Sequence, residues 1–322
     1  MIQNTVFVLG AGASSPYGFP SGKDLRNEIC SDHVDDCEAY LRAKGAPDGL
    51  IPSEEEKANR FVEKFRKSST KSIDLFLARN PEFSRPGKRA IIFRILAAER
   101  ASQFREETTN KIQDWYTWLF EQMTDKLVQK EDYSRFCCEN DVSFITFNYD
   151  RSLEHFLYDS LVNSFNGIAV EKIIEQLNQI KICHVFGQVG PLEWQGQYSE
   201  TEYRVNVKNI NVDALCDNIR IVYEEGDNPK LKEARKIISN AHRVFFLGFG
   251  YAEENLDVLG IPEVLEEVQQ VFGTALGFTK REITGVESLF RGIGFDKKKS
   301  VNIHRSVVIE DLDCLALLRQ YL

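Results

Sequence analysis

The sequence predicts an α/β fold: a Rossmann-like parallel sheet with helices on both faces and a helical module inserted into it. Three observations predict this. Short continuous apolar runs recur along the chain, as in strands buried on both faces. Helical patterns lie between the later runs, which is the alternation of a doubly wound sheet. The first run, TVFVLG, ends directly in a glycine-rich turn, the place where such sheets take up ligands.

In order, the runs are TVFVLG (5–10), VSFITF (142–147), KICHVF (181–186), IRIVY (219–223), RVFFLG (243–248), TALGF (274–278) and VNIH (301–304). Helices are expected at 21–30, at 151–163 after Asp150, at 228–240 after Asp227 with Pro229 near the start, and at 281–292 and 310–321. The first two runs stand too far apart for one crossover helix, and the stretch between them reads as helical. Ser53 and Glu56 form the S-x-x-E pattern of a capping box opening a charged amphipathic helix. KSIDLFLAR, KRAIIFRILAAERASQF and the segment around Trp115 and Trp118 carry apolar residues at i, i+3 and i+4, punctuated by Pro81 and Pro86. The expected organisation is a Rossmann-like domain built from 1–31 and 139–322, with the inserted helical module over 32–138. The stripe Trp115, Tyr116, Trp118 and Phe120 is expected in the core rather than against a ligand.

Composition narrows the partners. The 322 residues include 40 Lys and Arg against 49 Asp and Glu, a net charge of −9. Such a chain has no general attraction for polyphosphate, so direct nucleic-acid binding is not expected, whereas a small anion held by backbone amides fits. No apolar run reaches the roughly 18 residues of a membrane span. MIQNTVFVLGAG has neither the basic segment nor the cleavage site of a secretory leader and reads as mature sequence. The seven cysteines (Cys30, Cys37, Cys137, Cys138, Cys183, Cys216, Cys314) are odd in number and lack C-x-x-C spacing. That argues against a disulfide framework or a structural zinc site, and for buried free thiols in a reducing cytoplasm.

The turn Gly10-Ala11-Gly12-Ala13-Ser14-Ser15 lets a ligand approach the backbone and its amides face a phosphate. A tight turn with no ligand would use the same residues. Ser15 stands at the third glycine of the dehydrogenase fingerprint, and no strand ending in an acid follows within about 30 residues. Gly22-Lys23 does not open a P-loop helix, because Asp24 stands where Ser or Thr must hold magnesium and Tyr17 replaces the first glycine. No carboxylate cluster suits a two-metal nuclease. Nucleotide binding without hydride or phosphoryl transfer is what is left.

Polar residues emerge at further strand ends. Asn148 and Asp150 follow the second run, His184 lies in the third, and Gly248-Phe249-Gly250-Tyr251 closes the fifth. Each has a structural explanation: Asn148 or Asp150 as a cap for the next helix, His184 as a satisfied core histidine. His33, His155, His242 and His304 read as core or surface residues. Asp74 is a lone carboxylate on an otherwise apolar helix, either a cap or surface group, or part of a pocket covered by the helical module.

Taken in order, GAGAS (10–14), SIDLFL (72–77), TFNYD (146–150), His184-x-x-Gly187 and GFGY (248–251) resemble the sirtuin-like NAD-binding domain, in particular its bacterial branch in antiphage defence systems. The resemblance implies NAD+ as substrate with no other cofactor required. It implies that Gly10, Ala11, Gly12, Ala13 and Ser14 hold the pyrophosphate, that Asn148 and Asp150 line the nicotinamide and ribose pocket, and that His184 is the catalytic histidine. Gly248, Phe249 and Gly250 would surround the adenosine half. Two departures matter. The four-cysteine zinc module of deacylating sirtuins cannot be built without C-x-x-C pairs, and Ser21-Gly22-Lys23 follows Pro20 where their Asp-Phe-Arg cofactor loop is expected.

The function implied is therefore NAD+ hydrolysis at the nicotinamide–ribose bond, depleting NAD in antiphage defence by abortive infection. The alternatives are an NAD- or ADP-ribose-binding sensor or scaffold without turnover, and an ADP-ribosyltransferase. Cleavage develops oxocarbenium-like charge on the ribose and calls for no metal. Asn148 would hold water or a ribose hydroxyl, and a neutral His184 would accept a proton. Asn148 and His184 are expected to converge on one ribose, with Asp74 lining the pocket. An enzyme of this kind must be silent until infection, which implies a homo-oligomer and a separate partner such as a ring-forming ATPase or a sensor protein.

Overall fold

The computed structural model describes residues 2–47, 49–102, 114–196, 202–222, 228–293 and 305–322. Strand β1 (Thr5–Leu9) runs into a one-turn helix, α1 (Ala11–Ser14), followed by α2 (Gly22–Ala43), α3 (Leu50–Lys67), α4 (Ile73–Arg79), α5 (Ser84–Ala101) and α6 (Trp115–Thr124). Then come β2 (Val142–Thr146), α7 (Ser152–Ser164), α8 (Val170–Leu177) and β3 (Lys181–His184). A long connection carrying α9 (Val212–Leu215) leads to α10 (Pro229–Asn240) and β4 (Arg243–Leu247). Helix α11 (Glu253–Leu259), β5 (Gln270–Thr274), α12 (Lys280–Phe290), β6 (Ser306–Glu310) and α13 (Cys314–Tyr321) complete the chain.

The six strands form one parallel sheet in the order β3-β2-β1-β4-β5-β6. All five residues of β1 are buried, as its central place requires. One register carries a row of phenylalanines across the sheet. Phe7 pairs with Phe144 and Phe245, and Phe245 with Phe272. Their rings stand 5.3, 5.5 and 4.8 Å apart, and such cross-strand aromatic pairs lock register as well as burying area. Right-handed crossovers on the two sides of β1 put α6 and α7 over one face and α10, α11 and α12 over the other. Helix α13 returns to the first face, where it meets α6. Trp115 and Tyr116 are buried there, and Trp118 and Phe120 pack half-buried against the core.

Helices α2, α3, α4 and α5 pack mainly on one another. A buried ion pair joins them to the sheet. Arg151, just before α7, meets Glu99 of α5 through Nε–Oε1 at 2.9 Å and Nη2–Oε2 at 3.1 Å, with both side chains 0% exposed. The remaining guanidinium hydrogens reach the carbonyls of Gly190, Pro191 and Glu202. A second, half-buried cluster joins Arg89 of α5 to Asp213 of α9 and Glu54 of α3.

Several sequence expectations shift. Within the run at 219–223, residues 219–222 do not form a strand: Ile219 makes a single antiparallel bridge to Gly187, and Ile219 and Ile221 lie against the core, while Tyr223 lies outside the described residues. The fifth strand is QVFGT, and of the expected run TALGF only Thr274 belongs to it, ALGF (275–278) forming the loop at its carboxyl end. The run at 301–304 and His304 lie outside the described residues, as do Asp227 and the end of the helical run 88–104. The last strand is SVVIE, whose alternating burial marks a sheet edge. Asp313, not residue 310, opens the last helix, accepting the Ala316 amide at 2.8 Å. Asn228 caps α10. Helix α3 starts at Leu50, so Ser53 lies inside it and caps nothing. Helix α2 crosses the expected boundary at 31/32 without a break. All seven cysteines are free thiols, and no helix among the described residues is long and apolar enough to cross a membrane.

The Arg151–Glu99 pair sets a stability test. Glu99→Ala leaves a guanidinium buried without its counter-charge and should lower the unfolding free energy by about 3–5 kcal/mol in urea denaturation. Glu38→Ala, which breaks an exposed pair with Arg42, should leave the midpoint unmoved.

Candidate functional site

The strand order reverses at β1, with β2 and β4 on either side, and the loops leaving the carboxyl ends of these strands diverge there. A cavity of about 1300 Å³ opens at that place. Gly10, Ala11, Gly12 and Ser14 line it from β1, Asn148 and Asp150 from β2, and Gly248, Phe249 and Gly250 from β4. Asp74 of α4 and Ile95 of α5 reach it from the helical layer. Ala13 and His184 are not on its wall.

The glycines are explained first by backbone contact. A Cβ on Gly248, whose φ is +56°, would stand 2.0 Å from the Ala13 nitrogen, and one on Gly10 2.6 Å from the Gly248 oxygen. The loops after β1 and β4 thus touch main chain to main chain, as only glycine allows. Gly10 N–H donates to Leu247, Gly12 N–H to Gly248 and Ala13 N–H to Gly10. Three amides of the turn are thereby spent inside the protein. Helix α6 braces the turn from behind. The Trp115 indole donates to the Ala13 carbonyl at 2.8 Å, and Tyr116 stacks on Tyr17 at 4.1 Å.

Asn148 and Asp150 divide their work. The Asn148 Nδ2 donates to the Gly10 carbonyl at 3.1 Å and to Ser14 Oγ at 3.2 Å. A carbonyl only accepts, so the amide orientation is fixed by its partner. Asn148 Oδ1 has no hydrogen bond among the described residues and is the group available to a ligand. Asp150 is buried and accepts three hydrogen bonds. Its Oδ2 accepts the Ser14 hydroxyl at 2.9 Å, and its Oδ1 accepts the Ser152 amide at 3.1 Å and the Ser152 hydroxyl. Asp150 therefore caps the start of α7 and ties it to the glycine turn. Burial raises its carboxyl above the usual range, and the bonds from Ser152 and Ser14 offset this only in part.

Asp74 meets the Tyr149 hydroxyl at 3.0 Å. Burial raises its carboxyl too, against hydrogen bonds from Tyr149, the Val222 amide and Ser72. His184 lies behind the wall. Its Nδ1 is 3.1 Å from the Asn148 carbonyl oxygen and its Nε2 is 2.5 Å from Glu154 Oε1. Burial alone would lower the imidazole; the Glu154 carboxylate and the Asn148 carbonyl outweigh it and hold His184 above its ordinary value. Asn148 and His184 thus meet through the Asn148 main chain, and their side chains do not converge on one point of the cavity.

Some lining residues carry no periodic signal in the sequence. Lys23, Arg26 and Lys71 bring positive charge to an otherwise acidic chain, and Lys23 and Lys71 have no ion-pair partner among the described residues. Tyr149 and Lys71 sit within or beside the short motifs at 146–150 and 72–77, which is the signal that would have found them. Phe147, Phe186 and Phe278 give the wall flat apolar surfaces. Cys314 also lines the cavity, its thiol pushed up by burial to about 12 and so unreactive. Glu154 escaped notice because only the fold brings it against β3.

No family model matches the sequence, and no curated protein matches it. Solved sirtuin structures align with it over nearly its whole length at low identity. A structure of Sir2Tm bound to a propionylated peptide covers 99% of this chain and 91% of its own, at 14% identity and a TM-score of 0.41. One described as the structural basis for sirtuin substrate affinity gives the same coverage at 15% and 0.39. Sir2 in complex with the inhibitor EX-527, 2′-O-acetyl-ADP-ribose and a deacetylated p53 peptide gives 99% and 92% coverage, at 13% and 0.35. The fold class rests on strand order and register, not on these alignments.

The geometry predicts a pH dependence. His184 binds its proton more tightly in the folded than in the unfolded chain, so its stabilisation is complete below about pH 6.5 and is lost as pH rises through the folded value. The stability difference between wild type and His184→Gln, followed in urea, should be largest near pH 6 and shrink toward alkaline pH. A difference that widens with pH would contradict the pairing with Glu154.

Proposed function

We propose that the cavity binds NAD+ and that the protein hydrolyses the nicotinamide–ribose bond. The observation that carries this reading is the meeting, in one switch-point cavity, of a glycine turn, an asparagine oxygen free to accept and a desolvated carboxylate. In the reaction water attacks ribose C1′, the electron pair of the C1′–N bond leaves with nicotinamide, and one proton is released. The leaving group departs neutral, so no acid is required. The ribose gathers oxocarbenium-like charge, which a facing carboxylate stabilises. Asp74 supplies that carboxylate and, with its raised proton affinity, the acceptor for the proton of water. Asn148 Oδ1 accepts from the water or a ribose hydroxyl. Asp150 keeps Ser14 and α7 in place. Lys23, Arg26 and Lys71 favour the anionic pyrophosphate, and the phenylalanine walls suit flat rings. The role in antiphage defence, the homo-oligomer and a partner ATPase or sensor rest on the sequence resemblance.

One observation favours a second reading, binding of NAD or ADP-ribose without turnover: the histidine expected to act as base is not on the cavity. Chromatography of purified protein incubated with NAD+ decides between them. Free nicotinamide and ADP-ribose should accumulate. Asn148→Ala and Asp74→Asn should each lower turnover by about 10²–10³-fold with cooperative melting retained. Thermal stabilisation by ADP-ribose with no nicotinamide released would favour the second reading.

A further inference from the structure

His184 is tied to the main chain at the reacting end of the site. It ends β3 opposite Thr146. Its Nδ1 faces the Asn148 carbonyl oxygen, which only accepts, so Nδ1 carries a hydrogen. Its Nε2 faces the Glu154 carboxyl group on α7, and one proton lies between them whichever side holds it. Neither ring nitrogen has a lone pair left for water or a ribose hydroxyl. The cavity wall at this strand end is made instead by Phe147, Asn148 and Phe186.

We propose that His184 and Glu154 form a clamp on the Asn148 peptide, so that His184 is a positioning residue and takes no proton from the substrate. This rests on the hydrolase reading for its activity test only. Main-chain bonds complete the clamp. Val185 N–H donates to Thr146, Val189 N–H to Tyr149, and Asn148 N–H to the Thr146 hydroxyl. The strand end is thus held to the 184–189 segment along its length, while the Asn148 side chain is held on the other side by Gly10 and Ser14. With both anchors set, Oδ1 has one direction left. Removing the imidazole would leave a carbonyl and a carboxylate buried without a donor, and the Asn148 peptide would shift to find one. The charged groups acting on the ring are Glu154 of α7 and Asp150 before it, both acidic, so its environment keeps the proton rather than exchanging it.

Two substitutions separate the roles. In His184→Asn the side-chain amide stands where Nδ1 stood and still donates to Asn148, yet it cannot act as a base. In His184→Ala both functions go. A clamp predicts that His184→Asn keeps nicotinamide release within about tenfold of wild type while His184→Ala loses about 10²–10³-fold, chiefly in kcat. Equal loss in both, with cooperative melting retained, would overturn the proposal. A second measurement does not depend on activity or on a stable alanine variant. In wild-type protein labelled with ¹⁵N-histidine, the His184 resonances, identified by their absence in His184→Asn, should show Nδ1 protonated at pH 7. An unprotonated Nδ1 would overturn the clamp. If wild type releases no nicotinamide, the hydrolase reading fails while the nitrogen spectrum still decides the clamp.

Discussion

Arg151 and Glu99 have no exposure to water, and much of the ligand end of the sheet depends on how they satisfy each other. Isolated, either charge would cost several kcal/mol to bury. Here the carboxylate takes a forked pair of guanidinium bonds, and the other donors go to the carbonyls of Gly190, Pro191 and Glu202. One side chain thus fixes a helix from the α2–α5 layer, the loop beyond β3 and the entry to α7 relative to one another. Asp150, its neighbour, inherits that fixed position and passes it to Ser14.

The consequence is a site whose polar groups are mostly spent on the protein itself. Asp150 is used on both oxygens, three turn amides are used on the end of β4 and on the turn itself, and both nitrogens of His184 are used. Among the groups that face the cavity, the Asn148 oxygen has no hydrogen bond among the described residues, and the Asp74 carboxyl stands beside it on the wall. Preorganisation of this kind makes the remaining groups rigid, and rigid groups act on developing charge without the cost of reorienting.

Charge adds a second layer. The chain carries a net −9, yet Lys23 and Lys71 on the cavity wall have no acidic partner among the described residues, and the nearby Asp150 is compensated by hydroxyl and amide donors. The cavity wall thus places three cations, Lys23, Arg26 and Lys71, beside the carboxyl groups of Asp74, Asp150 and Asp313, in a chain whose net charge gives it no general attraction for nucleic acid. Arg26 contributes differently: its guanidinium holds the carbonyls of Phe65, Arg66 and Thr70 and keeps the loop bearing Lys71 in place.

The sequence alone determined the fold class, the central buried strand, the glycine turn and the positions of Asn148, Asp150 and Asp74, because these are written locally. An apolar run of strand length, a run of small residues and a polar residue closing a strand are each visible within a few positions. It misassigned residues 219–222, since a loop packed on the core is as apolar as a strand. The tertiary structure decided what those residues do. Gly248 is needed because the β4 loop touches Gly12, far away in the chain. Asp150 became a cap because Ser14 and Ser152 meet it, and His184 turned from the cavity because Glu154 on the neighbouring helix offers a stronger partner. Each outcome is set by which distant group satisfies a buried donor or acceptor, and that pairing exists only once the strands lie side by side.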